Sequence, residues 1–190
     1  SKNVSNYAYS KYYAEQEVWR ASSEGLNVII LNPSIILGPG NWNKGSSKIF
    51  QTIYNGLKFY TSGKSGYVDV VDVAKITLQF LSNKVKNERY ILNGTNISFK
   101  EAFNKIADEF GKPRATIRVT PFLKEIAWRL AILKSFLTNK PSLITRETAN
   151  SGMKNISYSS SKIKDEVNYK FIPFNQTIKK YCKFYEEDLI

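Results

Sequence analysis

The 190-residue chain contains no His, a single Cys and a single Met. The absence of His excludes a Ser–His–Asp triad, a His-ligated metal and an imidazole general base. One Cys excludes both an internal disulfide framework and a zinc site built from several thiolates, so we expect no metal site. No apolar run reaches the roughly 18 residues of a membrane span, and the first residues do not resemble a signal peptide. We therefore expect a cytoplasmic protein without a membrane partner.

The chain is rich in Lys, Asn and aromatic side chains. Lys and Arg total 28 against 16 Asp and Glu, which gives a formal net charge of +12, and 42% of the residues are hydrophobic. That composition is sufficient for a globular core. Lys supplies 22 of the 28 basic residues and is scattered singly, whereas proteins that read nucleic-acid bases favour the forked guanidinium of Arg. We therefore expect solvated surface Lys and no nucleic-acid partner.

Periodicity and turn residues predict helices that alternate with strands. A first helix is expected over residues 6–24, ending where Gly25 supplies a C′ glycine. The apolar run Val28–Leu31 is typical of a strand that is buried on both faces of a parallel sheet. Further helices are predicted near 47–55, 73–82, 98–110, 122–137, 144–153 and 175–187, and further strands near 58–61, 67–71, 89–92 and 116–119.

Two of the predicted helix starts have capping residues. Asp72 is interpreted as the cap of the helix over 73–82, and Asp69 as a carboxylate that hydrogen-bonds nearby. Ser98 and Glu101 have the spacing of a capping box. These residues are therefore predicted to be structural and not catalytic.

Strands that alternate with helices indicate an α/β fold with parallel pairing. Only about three buried strands are visible, whereas an open doubly wound sheet has about five to seven. The first helix also needs a sheet to cover. We therefore expect an incomplete doubly wound parallel sheet that forms the C-terminal part of a larger protein.

The pattern Tyr7-x-x-x-Lys11 is suited to acid/base chemistry. On a helix, this spacing places both side chains on one face. A Lys ammonium beside a phenol favours the phenolate and lowers the pKa of the Tyr from about 10. Tyr7 would then be suited to act as a general acid or base at a carbonyl or carbinol. The spacing by itself is a weak signal, and an ordinary exposed helix pair is the alternative interpretation.

The helix around this pattern resembles the catalytic helix of the extended short-chain dehydrogenase/reductase family. That helix has Tyr-x-x-Ser-Lys followed by an Ala-Glu pair. Tyr7, Ser10, Lys11, Ala14 and Glu15 match these positions.

Later segments resemble the same family in the same order. The strand after the helix ends in Asn-Pro-Ser at 32–34 and is closed by Gly-Pro at 38–39. Residues 66–74 read GYVDVVDVA and residues 89–94 read RYILNG, which are similar to the element preceding the family's last sheet helix and to its last sheet strand. Several spaced motifs over essentially the whole chain are specific, whereas Tyr-x-x-x-Lys by itself is not.

The resemblance implies roles for five residues and a cofactor, NAD or NADP. Tyr7 would be the catalytic acid/base, and Lys11 would hold the nicotinamide ribose. Asn32, Pro33 and Ser34 would line the nicotinamide end of the cofactor, and Asn32-Pro33 would also end the strand.

Two parts of the family pattern have no match in the chain. They are the Gly-rich fingerprint that binds the pyrophosphate and the catalytic Ser or Thr that precedes Tyr7. The resemblance thus implies a partial Rossmann-like fold whose N-terminal cofactor-binding half is missing. That half would be a partner, and the isolated chain would be inactive.

The resemblance also implies a division of the chain into four regions. Residues 1–40 would be the end of the Rossmann-like domain, and 41–66 a small α/β substrate region. Residues 67–95 would return to the Rossmann-like sheet, and 96–190 would form a mostly helical substrate-binding domain.

The branch of the family is indicated by the segment after the strand. Sugar-nucleotide epimerases and dehydratases often read Arg-Pro-x-Asn-x-Tyr-Gly-Pro, where this chain has Asn32, Ile35 and Leu37 in place of Arg, Asn and Tyr. The apolar residues favour the dihydroflavonol-reductase and hydroxysteroid-dehydrogenase branch. Our first hypothesis is hydride transfer to or from a carbonyl or carbinol of a small-molecule substrate. The alternatives are nucleotide-sugar epimerisation or dehydration, and a non-catalytic binding or assembly module.

Three smaller expectations complete the sequence interpretation. Family members often dimerise through the Tyr–Lys helix, so a homodimer or a self-associating chain is expected. The basic amphipathic helix over 122–137 is interpreted as a cover for the core or a pocket wall, and a helix that lies on a membrane surface or binds a partner is the alternative. The chain has no His that could act as a base for Cys182, which is therefore interpreted as a small buried apolar filler.

Overall fold

The computed structural model describes residues 6–82, 85–123, 125–126, 128–129 and 150–189. The helices are α1 Asn6–Ser23, α2 Lys48–Tyr54, α3 Val70–Leu81, α4 Phe99–Glu109, α5 Ser161–Val167 and α6 Phe174–Glu187. The strands are β1 Ile29–Pro33, β2 Ile35–Leu37, β3 Phe59–Tyr60, β4 Lys64–Asp69, β5 Glu88–Leu92, β6 Thr95–Ser98 and β7 Ile117–Arg118.

The described strands form three small sheets. β1 pairs with β5 in parallel, from Ile29 opposite Glu88 to Pro33 opposite Leu92. β4 lies between β2, which is parallel to it, and β6, which is antiparallel. β3 and β7 form a third, parallel pair. Parallel pairing was predicted, whereas the antiparallel β4–β6 pair was not, because Thr95–Ser98 has no apolar run that marks a strand.

The expectation for Val28–Leu31 is only partly right. The run does form a parallel strand, and Val28 is buried. Ile29, Ile30 and Leu31 are only half-buried. Among the described strands, β1 has β5 on one side and no strand on the other, so its side chains are not enclosed on both faces.

The start of α3 corrects the capping prediction. Asp69, and not Asp72, is the N-cap, since its carboxylate accepts a hydrogen bond from the backbone N–H of Val71 at 2.8 Å. α3 therefore begins at Val70, three residues earlier than expected, and Asp72 lies within its first turn. The prediction for α4 is confirmed, because the Ser98 hydroxyl accepts from the backbone N–H of Glu101 at 3.1 Å.

Other helix predictions have mixed outcomes. α1 ends close to the expected residue, and Gly25 has the positive φ of +103° that a C′ glycine supplies. The helices near 47–55 and 175–187 are observed as α2 and α6. Most of the predicted helices over 122–137 and 144–153 lies outside the described residues. β2 and α5 were missed because both are short and neither has a clear apolar period.

Two clusters of buried side chains form the core. The first joins α2, β4, α4 and α6 and includes Phe50, Ile53, Tyr67, Ile106, Ile178, Tyr181 and Tyr185. The second lies beneath β1 and β5 and includes Ile76, Phe80, Tyr90, Leu92, Ile163 and Phe171. Cys182 is a free, buried thiol of the first cluster, and burial raises its pKa well above the ordinary value. The interpretation of Cys182 as a buried filler is confirmed.

Two buried carboxylates at the start of α3 connect it to the C-terminal segment. Asp69 accepts hydrogen bonds from the hydroxyls of Thr177 and Tyr181, each at 2.7 Å. Asp72 accepts from the Tyr169 hydroxyl at 2.8 Å and from the backbone N–H of Ile172 at 3.0 Å. Burial, together with the nearby Asp69, holds the pKa of Asp72 above its ordinary value despite these donors.

No helix among the described residues combines the length and the apolar character needed to cross a membrane.

Candidate functional site

Tyr7 and Lys11 lie one turn apart on the same face of α1. Lys11 Nζ is 5.7 Å from the centre of the Tyr7 ring. The Tyr7 side chain is 71% exposed, and Lys11 is exposed as well. The structure therefore brings these two predicted residues together and leaves both accessible to a ligand.

Glu15, two turns further along α1, links the helix to the β1–β5 sheet. Its carboxylate accepts from Arg89 Nη1 at 2.8 Å and from Asn32 Nδ2 at 3.2 Å. It also accepts from Trp19 Nε1 on its own helix at 3.3 Å. Burial by itself would raise the pKa of Glu15, but the three donors outweigh it and hold the pKa below the ordinary 4.5.

The orientation of α1 follows from its contacts. Glu15 reaches Asn32 near the carboxyl end of β1, and Trp19 shares a cleft with Glu88, Arg89 and Ile91 of β5. Only residues 24–28 join the end of α1 to the start of β1, so the end of α1 lies beside the start of β1. α1 thus runs antiparallel to the two strands. Tyr7 and Lys11 lie on the part of α1 that extends past Glu15 towards the carboxyl ends of β1 and β5. In open α/β sheets, ligands bind at that edge.

Asn32, Pro33 and Ser34 lie at this edge, but their side chains have different surroundings. Pro33 is exposed, whereas the Asn32 amide is engaged with Glu15. Ser34 donates its backbone N–H to Leu92 O at 2.9 Å. Its hydroxyl oxygen is buried and has no hydrogen-bond partner among the described residues. Ser34 Cβ would lie 2.9 Å from a Cβ added at Gly66, so the Ser34 side chain faces β4 and not α1.

These positions determine which residues fit a dinucleotide. Lys11 has accessible donors suited to a ribose hydroxyl, and the Tyr7 hydroxyl and the Pro33 backbone are accessible near the same edge. The Asn32 side chain would have to leave Glu15 before it could contact a ligand, and the Ser34 side chain would have to rotate away from Gly66. Tyr7, Lys11 and Pro33 are therefore the residues best placed to contact a dinucleotide.

The structure shows the surroundings of the two apolar residues on which the branch hypothesis depends. Leu37 is fully buried in the core cluster, and Ile35 packs against the same cluster. Leu37 fills the core beside Tyr67, which is a structural reason for an apolar residue at this position.

Sequence comparison relates part of the chain to a known family. Residues 2–93 match the model of the NAD dependent epimerase/dehydratase family. This segment of the chain is therefore similar to that family. The match covers α1 through β5 and so includes Tyr7, Lys11 and the segment at 32–34, and it confirms the resemblance to extended short-chain dehydrogenases/reductases.

Three curated relatives match part of the chain. The first is sterol demethylase protein B of Methylococcus capsulatus, 25% identical over 139 residues, which are 71% of this chain and 41% of that protein. The second is tetraketide alpha-pyrone reductase 1 of Arabidopsis thaliana, 31% identical over 100 residues, which are 50% of this chain and 31% of that protein. The third is a Synechocystis sp. protein that is provisionally named a dihydroflavonol 4-reductase, 31% identical over 120 residues, which are 59% of this chain and 34% of that protein. The chain therefore spans well under half of each relative.

Solved structures agree with the fold. The structure of gox2253 superposes on this chain with a TM-score of 0.75 at 26% identity, and the match covers 97% of this chain and 57% of gox2253. A nucleoside-diphosphate-sugar epimerase from Pseudomonas aeruginosa superposes with a TM-score of 0.77 at 20% identity, covering 98% of this chain and 57% of the epimerase. A UDP-glucose 4-epimerase from Thermotoga maritima superposes with a TM-score of 0.73 at 17% identity, covering 98% of this chain and 55% of that epimerase. These likenesses confirm the α/β, Rossmann-like fold of the chain.

The sequence pattern did not single out Arg89. Arg89 opens the segment 89–94 that resembles the family's last sheet strand, but that pattern assigned no partner to its side chain. Glu15 was noted only as part of the family pattern, and its partners on β1 and β5 are 17 and 74 residues away in the chain. The only sequence signal was the Ala-Glu pair after Lys11.

Proposed function

We propose that this chain is the substrate-side part of an NAD(P)-dependent oxidoreductase that transfers a hydride to or from a carbonyl or carbinol. The observation that supports the proposal most directly is the accessible Tyr7–Lys11 pair on the part of α1 that points to the carboxyl ends of β1 and β5. Curated relatives named as reductases support the reductase hypothesis. NAD or NADP is the cofactor class of the family.

Each proposed residue has one task in the reaction. The Tyr7 hydroxyl donates its proton to the carbonyl oxygen as that oxygen gains charge, and in the reverse direction the phenolate accepts the carbinol proton. The Lys11 ammonium stabilises the phenolate and donates to a ribose hydroxyl. The Pro33 backbone lines the nicotinamide end, together with Ser34 once its side chain has turned. The bound reduced dinucleotide supplies the hydride.

We further propose that a cofactor-binding half packs beside β1 and α1 in a cytoplasmic protein. α1 buries none of its residues fully, and the described part of β1 has a free edge. Exposed aromatic side chains on α1, among them Tyr12 and Tyr13, support self-association or a homodimer through the same helix. The chain by itself is then expected to bind NADPH weakly and to be inactive. Saturable micromolar binding of NADPH to the 190-residue chain would contradict this.

The test compares Tyr7→Phe with Tyr12→Phe in the complete polypeptide that contains this chain. Phe keeps the ring and removes the hydroxyl. We expect Tyr7→Phe to lower kcat for NADPH-dependent carbonyl reduction by about 10²–10⁴-fold, because general acid catalysis contributes that much. Tyr12 is an exposed tyrosine of the same helix, so Tyr12→Phe should leave kcat within about twofold of the wild type.

Three outcomes would contradict this proposal. If Tyr7→Phe keeps its kcat, the acid/base role is wrong. If the wild-type protein interconverts a UDP-sugar without net oxidation of NADPH, the epimerase alternative replaces the reductase. The family description, which names epimerases and dehydratases, favours that alternative. If the wild-type protein shows neither activity, a binding or assembly module is favoured.

A further inference from the structure

Glu15 links α1 to both strands of the β1–β5 pair. α1 buries none of its residues fully, so apolar packing holds it weakly against the strands. The Glu15 carboxylate contacts both strands, through Asn32 of β1 and Arg89 of β5. The Glu15 side chain is 18% exposed, while that of Arg89 is 57% exposed, so the pair closes over the sheet at its outer surface.

Because of the geometry of α1, a small tilt of the helix at Glu15 displaces Tyr7 and Lys11. Tyr7 and Lys11 precede Glu15 by two turns and one turn, which corresponds to about 12 Å and 6 Å along the helix axis. A tilt of about 10° around Glu15 would therefore displace Tyr7 by about 2 Å. A misplacement of about 1 Å at a reacting group can cost about 10²-fold in rate. The orientation fixed at Glu15 thus determines where the Tyr7 hydroxyl lies.

We propose that Glu15, bridged to Asn32 and Arg89, is a positioning residue that holds Tyr7 and Lys11 at the carboxyl ends of β1 and β5. This inference rests on the proposed oxidoreductase function. Glu15 does not touch the reacting atoms and acts through α1. Because its amide is turned towards Glu15, Asn32 belongs to this support and not to the ligand-contacting surface.

The chain offers a matched control for Glu15. Glu17 lies on the same helix, is 68% exposed, and pairs with Arg20 within α1. A substitution of Glu17 changes the charge of α1 by the same amount as one of Glu15 but leaves the link to the strands intact. The comparison of Glu15→Ala with Glu17→Ala therefore isolates the bridge from the general effect of removing a helix carboxylate.

The first measurement is amide hydrogen exchange of the peptides that cover residues 6–23, in the complete polypeptide. We expect Glu15→Ala to speed exchange in these peptides about tenfold or more, with the peptides of β4 and α4 unchanged. Glu15→Gln keeps an acceptor for Arg89 and should give an intermediate increase. Glu17→Ala should match the wild type. Equal protection of α1 in Glu15→Ala and Glu17→Ala would overturn the bridge, whatever the activity of the protein.

The second measurement separates positioning from structural support. In Glu15→Ala we expect kcat for carbonyl reduction to fall about 10–100-fold while KM for the carbonyl substrate changes less than threefold, and Glu15→Gln should recover most of the loss. A Glu15→Ala protein with faster exchange in α1 but an unchanged kcat would overturn the positioning role. A wild-type protein without oxidoreductase activity would refute the proposed function and the catalytic consequence together, and the exchange result would still decide the bridge.

Discussion

At the scale of single residues, Ser160 shows how one hydroxyl fixes the end of a strand. Ser160 and Asn93 are both buried. The Ser160 hydroxyl accepts from the Asn93 backbone N–H at 2.9 Å and donates to the Asn93 carbonyl at 2.7 Å. The hydroxyl thus satisfies both backbone groups of Asn93, directly after β5.

We predict that Ser160→Ala lowers the free energy of unfolding by about 1–3 kcal/mol, because it leaves a buried N–H and a buried C=O without partners. Urea unfolding measures this difference. Ser161→Ala removes the exposed hydroxyl next in the chain, which contacts only Ser159 Oγ at 3.1 Å, and should change the free energy by less than about 0.5 kcal/mol. A similar loss in both variants would show that the paired hydrogen bonds of Ser160 have no special weight.

The same scale shows the limits of sequence prediction at the candidate site. Tyr7 and Lys11 were predictable as neighbours, because their spacing places them on one face of any α-helix. The partners of Asn32 were not predictable. Asn32 has no local property that directs its amide to Glu15 and away from a ligand, and only the packing of α1 on β1 decides this.

At the scale of elements, α3 and α4 both begin with an N-cap side chain, but the two side chains differ in how many other groups they bind. Asp69 caps α3 and Ser98 caps α4, each by accepting a backbone N–H of the first turn. Ser98 makes only that local contact as a cap. Asp69 also accepts the buried hydroxyls of Thr177 and Tyr181 and so attaches α6 to the start of α3.

We therefore predict unequal costs for removing the two caps. Asp69→Ala should lower the free energy of unfolding by about 3 kcal/mol or more, since hydrogen bonds to a charged group are each worth about 1.5–3 kcal/mol. Ser98→Ala should cost about 1 kcal/mol, the usual value for a helix cap. Chemical denaturation of both variants under one set of conditions measures the difference. Equal losses would mean that the contacts from α6 add nothing to the cap.

The elements also differ in how well they were predicted. α1 and α4 were predicted well because Gly25, which ends α1, and Ser98, which starts α4, each act within one turn of the chain. The error at Asp72 arose because Asp69 and Asp72 are both suitable caps, and the choice depends on where β4 ends. β4 ends at Asp69 because β2 pairs with it up to that residue, which is a long-range property.

At the scale of the whole molecule, buried tyrosines make the folded chain sensitive to alkaline pH. Tyr67, Tyr90 and Tyr181 are almost fully buried, and burial is the main cause that raises the pKa of each phenol. For Tyr90, burial and the nearby Glu166 and Glu88 raise the pKa to about 12 from the ordinary 10. The folded state thus holds the Tyr90 proton in a pH range where the unfolded state releases it.

The sign of the pH dependence follows from this difference. The contribution of Tyr90 to stability is complete below pH 10, the ordinary pKa, and is lost as the pH rises towards about 12. We predict that the free energy of unfolding falls between these values and that Tyr90→Phe reduces the slope by up to one proton. Urea unfolding at a series of pH values, followed by circular dichroism, measures the slope. An unchanged slope in Tyr90→Phe would show that Tyr90 ionises equally in both states.

The sequence by itself determined the local features of this protein. Helical spacing placed Tyr7 beside Lys11, Gly25 ended α1, Ser98 started α4, and the order of motifs indicated the family. Each of these depends on residues within a few positions of one another or on a pattern along the chain. The tertiary structure decided the antiparallel β6, the cap at Asp69, the burial of Leu37 in the core and the bridge from Glu15 to Arg89. These features join segments that are distant in the chain, so their energies depend on which surfaces meet and not on the identity of neighbouring residues.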